Sequence, residues 1–107
     1  MIVTIFRNRL LPGHVEEYYE TANRMSEIAR SMPGYVSHKT FTAEDGERVT
    51  IAEFTDAAAQ KEWSTEMRHV SAKKRGREAF YSEYKLQVTE VVREHAFTAK
   101  APAGQEA

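Results

Sequence analysis

The chain has 107 residues, a length that predicts a single domain with one modest hydrophobic core. Fifteen basic and 16 acidic residues leave a formal net charge of −1, so no overall positive field favours nucleic acid or an anionic membrane. Cysteine is absent, which excludes disulfides, thiolate catalysis and cysteine-ligated metals. No secretory segment and no apolar run of transmembrane length is evident, so we expect a cytoplasmic protein without a membrane partner.

The first third of the sequence predicts a strand followed by a helix. β-branched residues alternate with others over residues 2–9, which is typical of a strand, and Pro12-Gly13 ends it. Over residues 14–32 the apolar residues recur every three or four positions, the pattern of an amphipathic helix.

The rest of the chain predicts a hairpin, two helices and a long last strand. The predicted strands cover residues 35–42, 48–54 and 82–93, and the predicted helices cover 57–67 and 69–80. The order β-α-β-β-α-β is the split βαβ, ferredoxin-like arrangement, an α+β fold with an antiparallel sheet. We expect this domain to span residues 1–95 and residues 96–107 to form a disordered tail.

A sheet covered by helices on one face leaves its other face in need of a partner. The last predicted strand has apolar residues on both faces, with Leu86, Val88 and Val92 on one and Val91 on the other. Two such sheets packed face to face would bury this surface, so the sequence predicts a homodimer.

The segment from Trp63 to Val88 contains one Trp, one His, a Gly between two Arg residues, and three aromatic residues ahead of the last strand. In the N-terminal half, Arg7-Asn8-Arg9 ends the first strand and Met32-Pro33-Gly34-Tyr35 opens the second. Together these segments resemble antibiotic biosynthesis monooxygenase (ABM) domains over about residues 2–93. The resemblance implies a dimeric α/β barrel.

Asn8 and Trp63 are the first two candidate catalytic residues. Asn8 is a polar residue on an apolar strand face, where it either bonds to backbone or meets a ligand. Haem-degrading relatives have an Asn in a context that Asn8-Arg9-Leu10 resembles. Trp63, the only Trp, is either a core anchor or, as the resemblance implies, a wall against a bound aromatic ligand.

His69 is the third candidate, because a neutral imidazole acts as a base near neutral pH. In the cofactor-free oxygenases that the chain resembles, a proton-handling Tyr lies at about this distance past the Trp. In one unbroken helix, however, Trp63 and His69 would project about 120° apart. A shared pocket therefore requires a break near Met67-Arg68, where neither Gly nor Pro is present.

Six further residues are predicted to bind substrate. His38 and Glu53 lie in predicted strands and face either the cavity or a dimer interface. The others are aromatic residues of the first strand and of the segment before the last one: Phe6, Phe80, Tyr81 and Tyr84. No His/carboxylate spacing typical of a metal site is present. The basic run Lys73 to Arg77 is interpreted as a solvated helix face.

The leading hypothesis is an ABM-like monooxygenase that oxidises a small aromatic or quinol-type molecule with dioxygen and no cofactor. The main alternative is haem binding or degradation, although Lys73 occupies the position at which the resemblance places the axial His. A non-enzymatic dimer that binds a small ligand is the third hypothesis.

Overall fold

A computed structural model describes residues 1–100 of the protein. Its strands are β1 (Ile2–Leu10), β2 (Tyr35–Thr42), β3 (Arg48–Phe54) and β4 (Tyr81–Glu90). Its helices are α1 (Val15–Ser31), α2 (Ala57–Thr65) and α3 (Met67–Arg75), and a π-helical segment (Gly76–Phe80) follows α3. The predicted ferredoxin-like order is confirmed. Of the predicted tail, residues 96–100 have no regular secondary structure and 101–107 lie outside the described residues.

The four strands form one antiparallel sheet in the order β2-β3-β1-β4. β1 therefore lies inside the sheet, and its residues 2–8 each have a partner in both β3 and β4. Thr4 is opposite Ala52 and Val88, and Asn8 is opposite Arg48 and Tyr84. These rows fix which side chains share a face, because successive residues of a strand point to opposite faces.

The helices cover one face of the sheet, and the hydrophobic core lies beneath them. Ile2, Phe54 and Ala59 form the buried cluster, against which Trp63 packs, and only 1% of Phe54 is exposed. α2 reaches the sheet closely because Gly34 has no side chain. A Cβ on Gly34 would lie 2.4 Å from Ala59 Cβ.

The opposite face of the sheet carries no helix, and we call it the open face. Its apolar residues come from three strands: Val3, Ile5, Phe41, Val49 and Ile51. Leu86 and Val88 lie instead on the helix side, because they pair with Phe6 and Thr4. The last strand, predicted to run over residues 82–93, ends at Glu90, before Val91 and Val92.

Two helices follow β3, because the helical conformation is interrupted at Glu66. Its backbone is extended, with φ −60° and ψ 130°, and its side chain accepts hydrogen bonds from the backbone N–H groups of Arg68 and His69. These are N–H groups of the first turn of α3, which lack partners within the helix. A carboxylate thus starts a new helix here in the absence of Gly or Pro.

Within residues 1–100, no helix combines the length and the apolar composition needed to cross a membrane.

Candidate functional site

A cavity of about 590 Å³ lies between the helices and the covered face of the sheet. Sheet residues on one side and residues of all three helices on the other line it; they include Thr50, Ala52, Tyr18, Ser26, Trp63 and His69. Much of the lining is aromatic. A space of this size and composition suits a small apolar molecule with a few polar groups.

Trp63 and His69 form one wall of this cavity. Their rings are stacked, with centroids 3.9 Å apart and planes 15° from parallel. The break at Glu66 makes this contact possible, because it turns α3 relative to α2. The sequence predicted that a shared pocket needs such a break, and the structure places it one residue before Met67-Arg68.

The hydrogen bonding of His69 fixes which nitrogen carries the proton. Its Nδ1 lies 2.9 Å from the backbone carbonyl oxygen of Trp63. A carbonyl oxygen only accepts, so Nδ1 donates and Nε2 of the neutral ring keeps its lone pair. Burial lowers the pKa of His69, and the nearby Lys73 ammonium lowers it further. The ring is therefore a neutral imidazole at neutral pH, and its Nε2 has no hydrogen-bond partner among residues 1–100.

Lys73 lies on the same wall, and its ammonium group is hydrogen-bonded to a neighbouring residue of that wall. Its Nζ donates to the backbone oxygen of Ser64 at 2.7 Å and to Ser64 Oγ at 3.3 Å. An ammonium held in this way is a donor and not a metal ligand. The position at which the resemblance places an axial His therefore does not suit haem iron.

His38 lines the cavity, one of its two predicted placements, but both of its ring nitrogens are occupied. Ser26 Oγ lies 3.0 Å from Nε2, and the Tyr35 hydroxyl lies 2.7 Å from Nδ1. Burial lowers the pKa of His38, and the positive charge of Arg30 lowers it further. This chain of three side chains leaves His38 without the free lone pair that His69 has.

The predicted aromatic residues meet at the other end of the cavity. The centre of the Phe6 ring lies 5.5 Å from that of Tyr81, edge-on, and 5.6 Å from that of Tyr84. The ring centres of Tyr18 and Phe80 are 5.6 Å apart. Burial, with a smaller effect of Tyr18, raises the pKa of Tyr81. Tyr81 is therefore a neutral phenol at physiological pH and does not serve as the base.

The Tyr81 ring occupies space that a side chain on residue 76 would fill. A Cβ on Gly76 would lie 2.6 Å from Tyr81 Cε2. Gly76 opens the π-helical segment that leads into β4, and such segments are frequent at functional sites.

Two predicted site residues are not on the cavity lining. Asn8 is only 3% exposed on the covered face, and its Oδ1 is buried without a hydrogen-bond partner among residues 1–100. Glu53 lies on the open face, where Ser37 Oγ donates to its carboxylate at 3.3 Å. Glu53 therefore does not contact a ligand in this cavity.

Arg48 was not among the residues predicted to form the site. This residue opens β3 on the covered face, and it lines the cavity together with Lys73 and Arg77 from the basic run. The alternation of side chains along β3 could have placed Arg48 at the site, because Arg48 shares a face of the sheet with Thr50, Ala52 and Phe54. Residues 1–100 contain no group of three or more side chains placed to hold a metal ion.

These features define a small ferredoxin-like protein with an aromatic cavity and a Trp–His wall. The family model of antibiotic biosynthesis monooxygenase matches residues 1–75. The uncharacterised protein YqjZ of Bacillus subtilis is 31% identical over 80 residues, which cover 75% of this chain and 70% of YqjZ. The chain belongs to the antibiotic biosynthesis monooxygenase family.

Solved structures show the same fold at low sequence identity. Rv0793 from Mycobacterium tuberculosis is 17% identical with a TM-score of 0.77, and the match covers 89% of this chain and 98% of Rv0793. SnoaB from Streptomyces nogalater, a cofactor-independent oxygenase, is 16% identical with a TM-score of 0.73. That match covers 87% of this chain and 94% of SnoaB.

Proposed function

We propose that the protein is a cofactor-independent monooxygenase that oxidises a small, electron-rich aromatic molecule of the phenol, anthrone or quinol type. The observation that carries the proposal is the neutral His69, with its free Nε2, stacked on Trp63 in the wall of an aromatic cavity. The family membership and the fold shared with SnoaB support it.

In the proposed reaction, His69 Nε2 removes a proton from the bound substrate. The resulting anion transfers one electron to dioxygen, and the substrate radical and superoxide combine to a peroxide. Protonation gives a hydroperoxide, which loses water and leaves a carbonyl group on the ring. One oxygen atom enters the product and the other enters water, and the substrate supplies the electrons.

The other residues have supporting roles in this proposal. Trp63 provides a flat apolar wall for the ring, and the cluster of Phe6, Tyr81 and Tyr84 encloses its far side. A role of Asn8 as a donor to the developing oxyanion requires its amide to reach the ligand from beneath the lining.

Turnover of anthrone and of naphthohydroquinone under oxygen tests this function. His69→Ala should lower turnover by about 10²-fold or more, the usual effect of losing a general base. His95→Ala is the matched control, since His95 lies outside the elements that form the cavity. Trp63→Ala should mainly weaken binding, and Asn8→Ala should lower the rate while the protein stays folded. If the parent oxidises neither compound nor related aromatics, the ligand-binding hypothesis replaces this one.

The haem alternative has a direct test. Lys73 does not suit the iron, and among residues 1–100 the imidazole stacked on Trp63 is that of His69. Haemin is titrated into the protein while the Soret band is recorded. A band that saturates at one haem per chain and is lost in His69→Ala would reverse the order of the two hypotheses.

We also infer that the functional unit is a homodimer. The open face carries Ile51 and Phe41 with 38% and 49% of their surface exposed, beside Val3, Ile5 and Val49. Burial of this face against a second copy would remove an apolar surface from water without obstructing the cavity, which lies on the other side of the sheet.

A further inference from the structure

We propose that the aromatic ligand of the cavity carries an ionised acid group, a carboxylate, and that the guanidinium of Arg48 binds it. The inference rests on the proposed function for the position of the reacting ring beside His69. It adds the chemical class of the substrate, an aromatic acid.

The first observation is the charge of the lining. The cavity residues within the described chain include three cations, Arg48, Lys73 and Arg77, and no Asp or Glu. The chain as a whole has a net charge of −1, so this concentration of positive charge is local. A low-dielectric cavity lined by one sign of charge attracts ligands of the opposite sign.

The second observation is the state of Arg48 itself. Its Cζ lies 5.0 Å from the centre of the Tyr18 ring and 5.5 Å from that of Tyr19. Its Nη1 is buried and has no hydrogen-bond partner among residues 1–100. Aromatic faces hold the guanidinium in place, but they do not satisfy its N–H donors as an oxygen anion does.

Two other arginines show the contrast. Arg7 donates two hydrogen bonds to the carboxylate of Glu47, and Arg75 donates two to that of Glu17, at distances from 2.7 to 3.1 Å. No salt bridge involves Arg48 within the described residues. The planar guanidinium of Arg48 is suited to bind a carboxylate, and none among residues 1–100 forms a salt bridge with it.

The third observation is the placement of Arg48 relative to the Trp–His wall. Arg48 opens β3, whereas Trp63 packs against Phe54 at the end of the same strand. Arg48 and Phe54 are six residue steps apart along the strand, so their Cα atoms are roughly 20 Å apart. Thr50 and Ala52 lie between them on the lining, and their small side chains leave room for a fused-ring body. The acid group therefore lies at the end remote from the oxidised ring.

The test compares the binding of 6-hydroxy-2-naphthoate and of the uncharged 6-hydroxy-2-naphthamide at pH 7 by calorimetry, without oxygen. A charge-assisted hydrogen bond to the Arg48 guanidinium should make the acid bind about 10- to 100-fold more tightly than the amide. Arg48→Met should abolish this preference, and Arg48→Lys should retain part of it. Arg24→Met is the matched control, because Arg24 is exposed on α1 outside the cavity, and it should bind like the parent.

Equal affinity of the parent for acid and amide overturns the inference, and so does failure to bind the acid at millimolar concentration. Persistence of the preference in a folded Arg48→Met variant also overturns it. If Arg48→Met does not fold, the inference is decided by the relative affinities of the parent for the acid and the amide. An acid that binds tightly but is not oxidised under oxygen contradicts the proposed function alone. Efficient oxidation of neutral quinols without any preference for acids contradicts this inference alone.

Discussion

At the scale of single residues, the chemistry of the cavity depends on which nitrogen of His69 carries the proton. The carbonyl oxygen of Trp63 holds the proton on Nδ1, and the free Nε2 becomes the acceptor. The same ring is stacked on the Trp63 side chain. One residue therefore positions the imidazole that we propose as the base, through both its backbone and its side chain. By contrast, the two nitrogens of His38 are already engaged by Ser26 and Tyr35.

This arrangement predicts the pH dependence of the proposed reaction. Burial lowers the pKa of His69 from its ordinary value of 6.5, so the ring stays deprotonated as the pH falls to that value. We expect the acidic limb of kcat/KM to have its midpoint below pH 6.5, with activity present above the limb and lost below it. An NMR titration of the His69 ring should give the same midpoint. An acidic limb with its midpoint above pH 6.5 that disappears in His69→Ala would contradict the conclusion that burial lowers the pKa of His69.

At the scale of elements, the site exists because α2 and α3 are two helices and not one. Glu66 separates them by accepting hydrogen bonds from Arg68 N and His69 N at 3.0 and 3.2 Å. Without this break, the side chains of Trp63 and His69 would diverge around one helix axis. Glu66 is thus a positioning residue that is itself absent from the cavity lining.

We predict that Glu66→Ala lowers turnover by roughly 10-fold or more, because the His69 ring is displaced from Trp63. Glu66→Gln should restore most of the rate, since its amide oxygen still accepts from both N–H groups. Glu62→Ala, an exposed carboxylate of α2, is the control and should match the parent. Fluorescence of Trp63, the only Trp, reports the displacement independently of turnover. Unchanged fluorescence and rate in Glu66→Ala would show that the break does not depend on this carboxylate.

The junction of the π-helical segment with β4 supports a second prediction. Gly76→Ala should destabilise the protein by about 1–3 kcal/mol, because its Cβ would meet the Tyr81 ring at 2.6 Å. The effect should be much smaller in a Tyr81→Leu background, in which the contacting ring atoms are absent. Urea denaturation of the four proteins measures this coupling. Equal losses in both backgrounds would show that the cost of Gly76→Ala does not come from Tyr81.

At the scale of the whole molecule, the two faces of the sheet differ in what they contact. The covered face carries the cavity, and the open face presents apolar residues from β1, β2 and β3 to the surroundings. An open antiparallel sheet with an apolar outer face is stabilised when that face packs on another layer.

We therefore predict a dimer in sedimentation experiments at micromolar concentration. Ile51→Lys places a charge at the centre of the open face and should shift the protein towards monomer. Val70→Lys makes the same change on α3, where Val70 is 48% exposed and outside the cavity, and should leave the dimer intact. A folded monomeric parent would refute the assembly.

The sequence alone determined the order of elements and their approximate bounds. Alternation in the strands and the three-to-four-residue spacing in the first helix are local patterns, and Tyr35–Thr42 and Arg48–Phe54 were predicted at their observed bounds. The sequence also identified Trp63, His69 and four aromatic residues, all of which line one cavity. Trp63 and His69 are close along the chain, and the aromatic side chains favour a covered face on apolar grounds.

Only the tertiary structure decided which polar residues share that cavity. Glu53 falls on the open face and Arg48 on the covered one because of strand register, which depends on long-range pairing. The break at Glu66 depends on a side chain that caps the next helix, and neither helix propensity nor Gly and Pro positions revealed it. The tautomer of His69 likewise depends on a carbonyl group that only the folded chain brings within reach.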